Sequence, residues 1–329
     1  MADYGDRFYC RLFRGAKRGI TEIGEFRKNL QFGFPLAIET YFAHVIPCRN
    51  TKKLQTDGIC RLLQNDLKNE LNAANRSINQ DNEQEEYPVW VCWFTGIENS
   101  PEIVQACFSS VKRNLPENAS VHLITLANYK EYVEIPDYCI EKFNNKNISA
   151  AAFSDILRAC LLAQYGGLWL DATILVSKPV PRFFFRSGFY TLSRKDKMPA
   201  WQEPSEGRWC NFIWYSRPGN PLFVFLRDAL LKYWKKYDKV IEYLLPDYII
   251  RLTYNYLPEV KKTIDSCPSN IEDFWLCMNS MNKTFSGALW EQINNNSTFN
   301  KLTYKEPWNE QDEEGKMTLF GFVLNSYLK

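Results

Sequence analysis

Ser154-Asp155-Ile156-Leu157-Arg158, followed by Tyr165-Gly166-Gly167-Leu168-Trp169-Leu170-Asp171-Ala172-Thr173, is the stretch around which the rest of the chain is organised. Its first half has a helical period. Phe153, Leu157, Cys160, Leu161 and Gln164 fall on one side, and Asp155, Arg158, Leu162 and Tyr165 on the other. Gly166-Gly167 marks the helix end, where the backbone needs positive φ. Leu168, Leu170, Ala172 and Ile174 then alternate with Trp169, Asp171 and Thr173, which is the period of a strand. The spacing predicts a helix bearing a carboxylate and a guanidinium that turns tightly into a strand with another carboxylate on its polar face. Two readings are open: an ordinary helix–strand unit with a weakly stabilising Asp–Arg pair, or a site shared by all three groups.

Upstream, Val89-Trp90-Val91-Cys92-Trp93-Phe94 is a continuous apolar run ending in Thr95-Gly96, as expected of a buried first strand with a loop at its carboxyl end. Pro101 opens a helix through Val111, and Val121 to Leu126 reads as a second strand. Strand–helix–strand at this length implies a right-handed parallel unit, with ligands bound beyond the carboxyl ends of its strands. Trp93, Phe94, Thr95 and Gly96 lie there. Asn128 to Phe143 is a short helical connection.

Downstream, Gly188–Leu192 and Asn211–Ser216 read as strands. Between them, the loop of Trp201, Glu203, Glu206, Gly207, Arg208 and Trp209 lines a ligand cleft or is a loop with core tryptophans. Pro221–Lys239 is an amphipathic helix, and a second starts at Leu244. Asp247 is either a favourable first-turn acid or a binding-site carboxylate. Pro258 to Asn296 reads as helical and polar, Leu302-Thr303-Tyr304-Lys305 as a short strand, and Thr318–Leu328 as an apolar end packing back on the body.

The first 53 residues carry ten Lys/Arg against five acids, interleaved with Phe8, Tyr9, Leu12, Phe13, Phe26, Leu30, Phe32 and Phe34. Such a segment docks on an anionic membrane surface or packs its aromatics on the body of the protein. A further helix runs through Leu62, Leu63, Leu67 and Leu71, and a polar, acidic linker follows from Asn79 to Glu86. This divides the chain into a helical arm, 1–86, and a catalytic domain, 87–329.

At 329 residues the chain can bury a large core, and no apolar run approaches the ~18–20 residues that span a bilayer. A net charge of +2 gives no reason to expect nucleic acid. Ten cysteines without a C-x-x-C pair or a metal-ligand cadence suit a reducing compartment, with Cys92 and Cys160 as buried thiols. N-x-S/T sequons at Asn75, Asn118, Asn147, Asn282 and Asn296 follow no signal peptide and read as chance. The expectation is cytoplasmic, with peripheral contact at the inner face of the plasma membrane if the arm docks. His44 and His122 are the only histidines, and G-x-x-x-x-G-K and G-x-G-x-x-G are both absent. Carboxylates, an arginine and aromatics remain, a set suited to electrostatic stabilisation and ring stacking.

The pattern S-D-x-L-R, then Y-G-G-x-W-x-D-A-T, resembles the core of the capsular-polysaccharide-synthesis glycosyltransferases, relatives of sugar transferases with a D-x-D motif, from about Trp90 to about Lys305. The resemblance implies an α/β fold of GT-A type: Rossmann-like, with a mostly parallel sheet flanked by helices, here with a helical N-terminal arm and helical additions. It implies retaining transfer from a sugar nucleotide, a UDP-sugar as first expectation, to a polysaccharide or lipid-linked glycan acceptor in surface polysaccharide synthesis. Asp155 and Arg158 would hold donor-sugar hydroxyls. Asp171 would be the first acid of the D-x-D, Trp93 would stack on the base, and Gly167 and Trp169 would complete the nucleotide site. A divalent metal, Mn²⁺ or Mg²⁺, would sit at Asp171 and Thr173. Thr173 stands where relatives have the second acid, and Asn300 where a histidine is expected. The first departure puts direct coordination in doubt. Without metal, Arg158, Arg194 or Lys195 would have to face the leaving group. The missing acid also keeps open a non-catalytic sugar-nucleotide or glycan-binding protein, with a sugar-phosphate transferase as a third reading.

Overall fold

A computed structural model describes residues 23–46, 48–74, 86–196 and 203–329. Phe8, Tyr9, Leu12 and Phe13, the linker from Asn79 up to residue 85, Asn75 and Trp201 lie outside the described residues. In the arm, Pro35 near the start of α1 (Phe34–Val45) suits a helix entry, where its missing N–H is not needed. Then come α2 (Arg49–Asp66) and α3 (Lys68–Ala74). The apolar positions of this arm, Phe32, Leu36, Ile59, Leu63, Leu67 and Leu71, join one hydrophobic core with Tyr233, Trp234 and Tyr237. The Phe32 ring lies 4.9 Å from that of Tyr237. Polar contacts at the edge hold the same surfaces: Gln55 Nε2 donates to Glu242 Oε1 at 2.7 Å, and Tyr237 Oη to Asp66 Oδ2 at 2.7 Å.

The apolar run at 89–94 forms most of β1 (Tyr87–Cys92), joined through α4 (Glu102–Asn114) to β2 (Ala119–Ile124). After α5 (Asp137–Asn144), the organising stretch folds into α6 (Ala150–Tyr165) and β3 (Gly167–Asp171). β1 pairs in parallel with both β2 and β3. The turn to β3 is tight. Gly167 has φ +88°, and a Cβ there would stand 2.2 Å from the carbonyl oxygen of Pro88 on the neighbouring strand. Only glycine meets both conditions.

β3 does not continue to Ile174. After a turn at Ala172–Thr173 the chain enters β4 (Ile174–Val176), which belongs to a second, two-stranded sheet. All three β4 residues are buried, so the expected alternation stops at the turn. The central sheet is completed by β5 (Phe189–Tyr190) and β6 (Ile213–Ser216), in the order β2-β1-β3-β6-β5. β6 runs antiparallel to both its neighbours, and the other four strands share one direction. The register sets Trp90 beside Trp169 and Trp169 beside Trp214. These indoles pack with α6 and α7 (Pro221–Lys236), while Val89, Val91, Leu168, Leu170, Ile213 and Tyr215 form the opposite core with α4.

α6 departs from the two-sided pattern. Phe153 and every residue from Ile156 to Ala163 are buried, because the helix is wedged between the sheet and α7. Leu162, placed by period on the polar side, is fully covered, and Gln164, placed on the apolar side, is exposed.

The remaining helices are α8 (Leu245–Tyr256), α9 (Pro258–Ser266), α10 (Gly287–Asn296) and α11 (Leu319–Tyr327), which joins the α4 core. The helical run expected from Pro258 to Asn296 is interrupted between α9 and α10, where Pro268 and a cluster of Asn and Ser favour turns. The last strand, β7 (Phe299–Lys301), precedes the expected Leu302–Lys305, because antiparallel pairing with β4 sets Ile174 against Lys301 and Val176 against Phe299. Among the described residues no helix is long and apolar enough to cross a membrane.

Candidate functional site

Beyond the carboxyl ends of β1 and β3, where parallel sheets bind ligands, lies a cavity of about 480 Å³. Asp155, Arg158 and Asp171 converge on it. Arg158 Nη2 donates to Asp155 Oδ1 at 2.6 Å, Nη1 donates to the Asn211 carbonyl, and Nη1 lies 3.8 Å from Asp171 Oδ1. The guanidinium also sits over the Trp169 ring, 5.6 Å from its centroid. Arg158 is therefore buried and largely committed to protein partners, while the Asp155 side chain keeps 23% of its surface open. Trp169 is walled in beneath the site, its Nε1–H donating to Asp171 Oδ1 at 3.1 Å.

The break between β3 and β4 brings in a residue that the sequence reading did not include. Lys301, at the end of β7, donates from Nζ to Asp171 Oδ2 at 2.7 Å and to Thr173 Oγ1 at 2.9 Å. Burial pushes the Asp171 carboxyl up, but Lys301 and Arg158 outweigh it and hold the group below the usual range. Asp155 differs. Burial raises it to about 6, against the opposing pull of Arg158 and with the charge of Asp171 adding to the rise. Asp247 is raised further, to about 7, chiefly by burial, although Trp209 Nε1 donates to its Oδ1 at 2.9 Å and Asn211 Nδ2 donates to Oδ2. Three carboxyls thus face one cavity with three different proton affinities.

The residues expected at the strand end separate. Trp93 lines the cavity, with Tyr304 edge-on at 5.4 Å. Phe94 turns the other way and packs 5.9 Å from Phe153, while Thr95 and Gly96 lie outside the lining. β1 ends at Cys92, and the chain turns at Phe94–Thr95, which carries the later residues away from the cavity. Gly167 also stands apart from the lining, at the close approach to Pro88. Cys92 lines the wall, its thiol pushed to about 12 by burial, and Cys160 is buried in the core. Arg194 packs on Phe274, and Lys195 donates to the carbonyls of Asp265 and Cys267, so neither cation borders the cavity. Asn300 is a buried amide donating to Ser177 Oγ and the Ser297 carbonyl.

Tyr243, Trp275 and Tyr304 form an exposed aromatic rim; the sequence reading placed Tyr304 in a short strand and did not select Tyr243 or Trp275. Exposed aromatics carry no periodic signature, and their grouping exists only after folding. Lys301 had one cue: it follows Asn300 and precedes the Leu302–Lys305 segment that had been singled out.

The donor set does not fit a divalent ion at Asp171 and Thr173. The space between those two oxygens is taken by an ammonium group, and the one carboxylate there is already paired. Among the described residues, no group of three His, Cys, Asp or Glu side chains is arranged to hold a metal.

A family model described as capsular polysaccharide synthesis protein matches residues 40–321. The chain belongs to the capsular polysaccharide synthesis family. The family match extends past Trp90 and Lys305 at both ends, taking in α2 and α3 of the arm and reaching into α11. A curated relative, the O-glycosyltransferase braB of Annulohypoxylon truncatum, is 32% identical over 93 residues. That stretch is 26% of this chain and 22% of the fungal protein. The solved PaToxG glycosyltransferase aligns with 74% of this family member and 95% of its own chain, at 15% identity and a TM-score of 0.40, too distant to assign a fold.

Proposed function

We propose that this member of the capsular polysaccharide synthesis family is a glycosyltransferase that moves a sugar from a sugar nucleotide to a glycan or lipid-linked acceptor. The observation that carries the reading is the convergence of Asp155, Arg158, Asp171 and Trp93 on one cavity at the strand ends. The volume is in the range of small-molecule sites. Trp93, Tyr243, Trp275 and Tyr304 offer flat apolar faces for a base or a sugar ring. Asp155 accepts from donor-sugar hydroxyls, oriented by Arg158 behind it. As the bond from the anomeric carbon to the diphosphate breaks, the electron pair leaves with the diphosphate and positive charge grows on the sugar. Asp171, anionic at neutral pH, stabilises that charge. The acceptor hydroxyl oxygen bonds to the anomeric carbon, and Asp247, with its proton affinity near neutrality, is suited to take the proton that this hydroxyl releases. A GT-A type fold, a UDP-sugar donor and retention of anomeric configuration belong to the same proposal and rest on the resemblance of the motif.

The experiment is turnover of UDP-, GDP-, CMP- and dTDP-sugars with purified protein, following the released nucleotide and the anomeric configuration of the product by NMR. Nucleoside diphosphate release with a retained product is expected for nucleoside-diphosphate donors. Release of a monophosphate from such a donor would identify a sugar-phosphate transferase. Tight binding without turnover of any donor would identify a sugar-nucleotide-binding protein.

A further inference from the structure

We propose that Lys301 supplies the positive charge that a divalent cation supplies between paired carboxylates, and that its ammonium group faces the diphosphate of a bound nucleotide. The inference rests on the sugar-nucleotide reading. Its basis is a coincidence of place. Asp171 Oδ2 and Thr173 Oγ1 are the two oxygens that the motif spacing offers to a cation, and Lys301 Nζ lies 2.7 and 2.9 Å from them. Backbone pairing sets this position, because Lys301 is the register partner of Ile174, next in the chain to Thr173.

The charges agree with the placement. Two acids balance a divalent ion, whereas one acid and a hydroxyl balance a single ammonium charge. An ammonium has three donors and no acceptor. Two are spent on Asp171 and Thr173, which leaves one N–H for a ligand oxygen. The side chain is 19% exposed and borders the cavity, with the Phe212 ring 5.4 Å from Nζ. Lys305, exposed on the same wall, adds a second cation within the site. Lys301 donates a hydrogen bond to the departing diphosphate and keeps its proton.

The test is calorimetric titration of UDP, GDP, CDP and dTDP into the full chain, once in excess chelator and once in excess Mn²⁺. The expected result is that the best ligand binds with the same affinity in both, within about twofold. Lys301→Met should weaken binding in chelator by about tenfold or more, and Lys301→Arg by less. Adding Thr173→Asp to Lys301→Met should restore affinity in Mn²⁺ only. A wild-type affinity that rises about tenfold or more with Mn²⁺ overturns the assignment while leaving the sugar-nucleotide reading intact. Failure to bind any nucleoside diphosphate in either buffer overturns both. Binding in chelator that is left unchanged by Lys301→Met, or by Lys301→Gln should the methionine variant not fold, also overturns the assignment.

Discussion

At the scale of the residue, the site is a contrast between carboxyls that share one cavity. Asp171 stays ionised because Lys301 and Arg158 stand beside it. Asp171→Asn keeps the shape and removes the charge, so kcat/KM should fall ~10²–10³-fold, the usual loss for one preorganised electrostatic contact. A loss under tenfold would remove Asp171 from the charge-stabilising role. Asp247 is the opposite case. Its folded pKa of about 7 exceeds the ordinary 3.8, so the folded state holds the proton more tightly than the unfolded chain. Its stabilising contribution is complete below pH 3.8 and is lost as pH rises towards 7. Asp247→Asn has no proton to lose, and its amide can still accept from Trp209. Asn211 Oδ1, which has no partner among the described residues, is available to the new NH₂. The variant should therefore melt about 2–6 °C above wild type at pH 8, with the gain vanishing near pH 3.5. Scanning calorimetry at the two pH values checks this, and a lower melting point at pH 8 would refute it.

At the scale of the element, the decisive feature is the joint between α6 and β3. α6 delivers Asp155 and Arg158, and β3 delivers Asp171, only if the chain reverses within two residues. Gly166 and Gly167 make this possible, both with positive φ and both against neighbouring backbone. Gly167→Ala sets a Cβ against Pro88 and strains φ, and should cost ~2–4 kcal/mol in urea unfolding. A cost below 0.5 kcal/mol, the range of a neutral surface change, would mean that β3 and β1 part easily. The second joint is the turn at Ala172–Thr173, which sends the chain from one sheet to the other. It is this exit that sets Thr173 and Asp171 against Lys301.

At the scale of the whole molecule, the arm is both a part of the core and a surface. Phe32, Ile59 and Leu63 are buried with residues of α7, which favours the packing reading for this part of the arm. Yet Phe34, Phe42, Val45 and Ile46 remain exposed on α1 and its end. We propose that this apolar face, flanked in the chain by Arg27, Lys28 and Arg49, meets an anionic membrane where lipid-linked acceptors reside. Co-sedimentation with phosphatidylserine vesicles should fall as salt rises, since screening shortens to ~8 Å at physiological ionic strength. Phe34→Ser with Phe42→Ser should weaken it about tenfold or more, with little effect on folding because both rings are exposed. Unchanged sedimentation would leave the arm a purely structural element.

The local pattern of residues 153–171 was enough to call a helix, a glycine turn and a strand, and to place Asp155, Arg158 and Asp171 near one another. These follow from short-range physics: a helical period, the freedom of glycine at positive φ, and alternation along a strand. The apolar run at 89–94 likewise announced a strand buried on both faces. The same local rules failed where neighbours from distant parts of the chain decide the outcome. α6 is buried nearly all round because the sheet takes the side that its period left polar, with Arg158 over Trp169 and Tyr165 against Trp90, while α7 packs on the helix as well. Ala172 and Thr173 turn rather than extend, because β4 finds its partner in β7. Lys301 lies 130 residues from Asp171 in the chain, and no spacing rule joins them. Their meeting comes from the antiparallel pairing of β4 with β7, a long-range contact whose register is written in tertiary packing and not in any one segment.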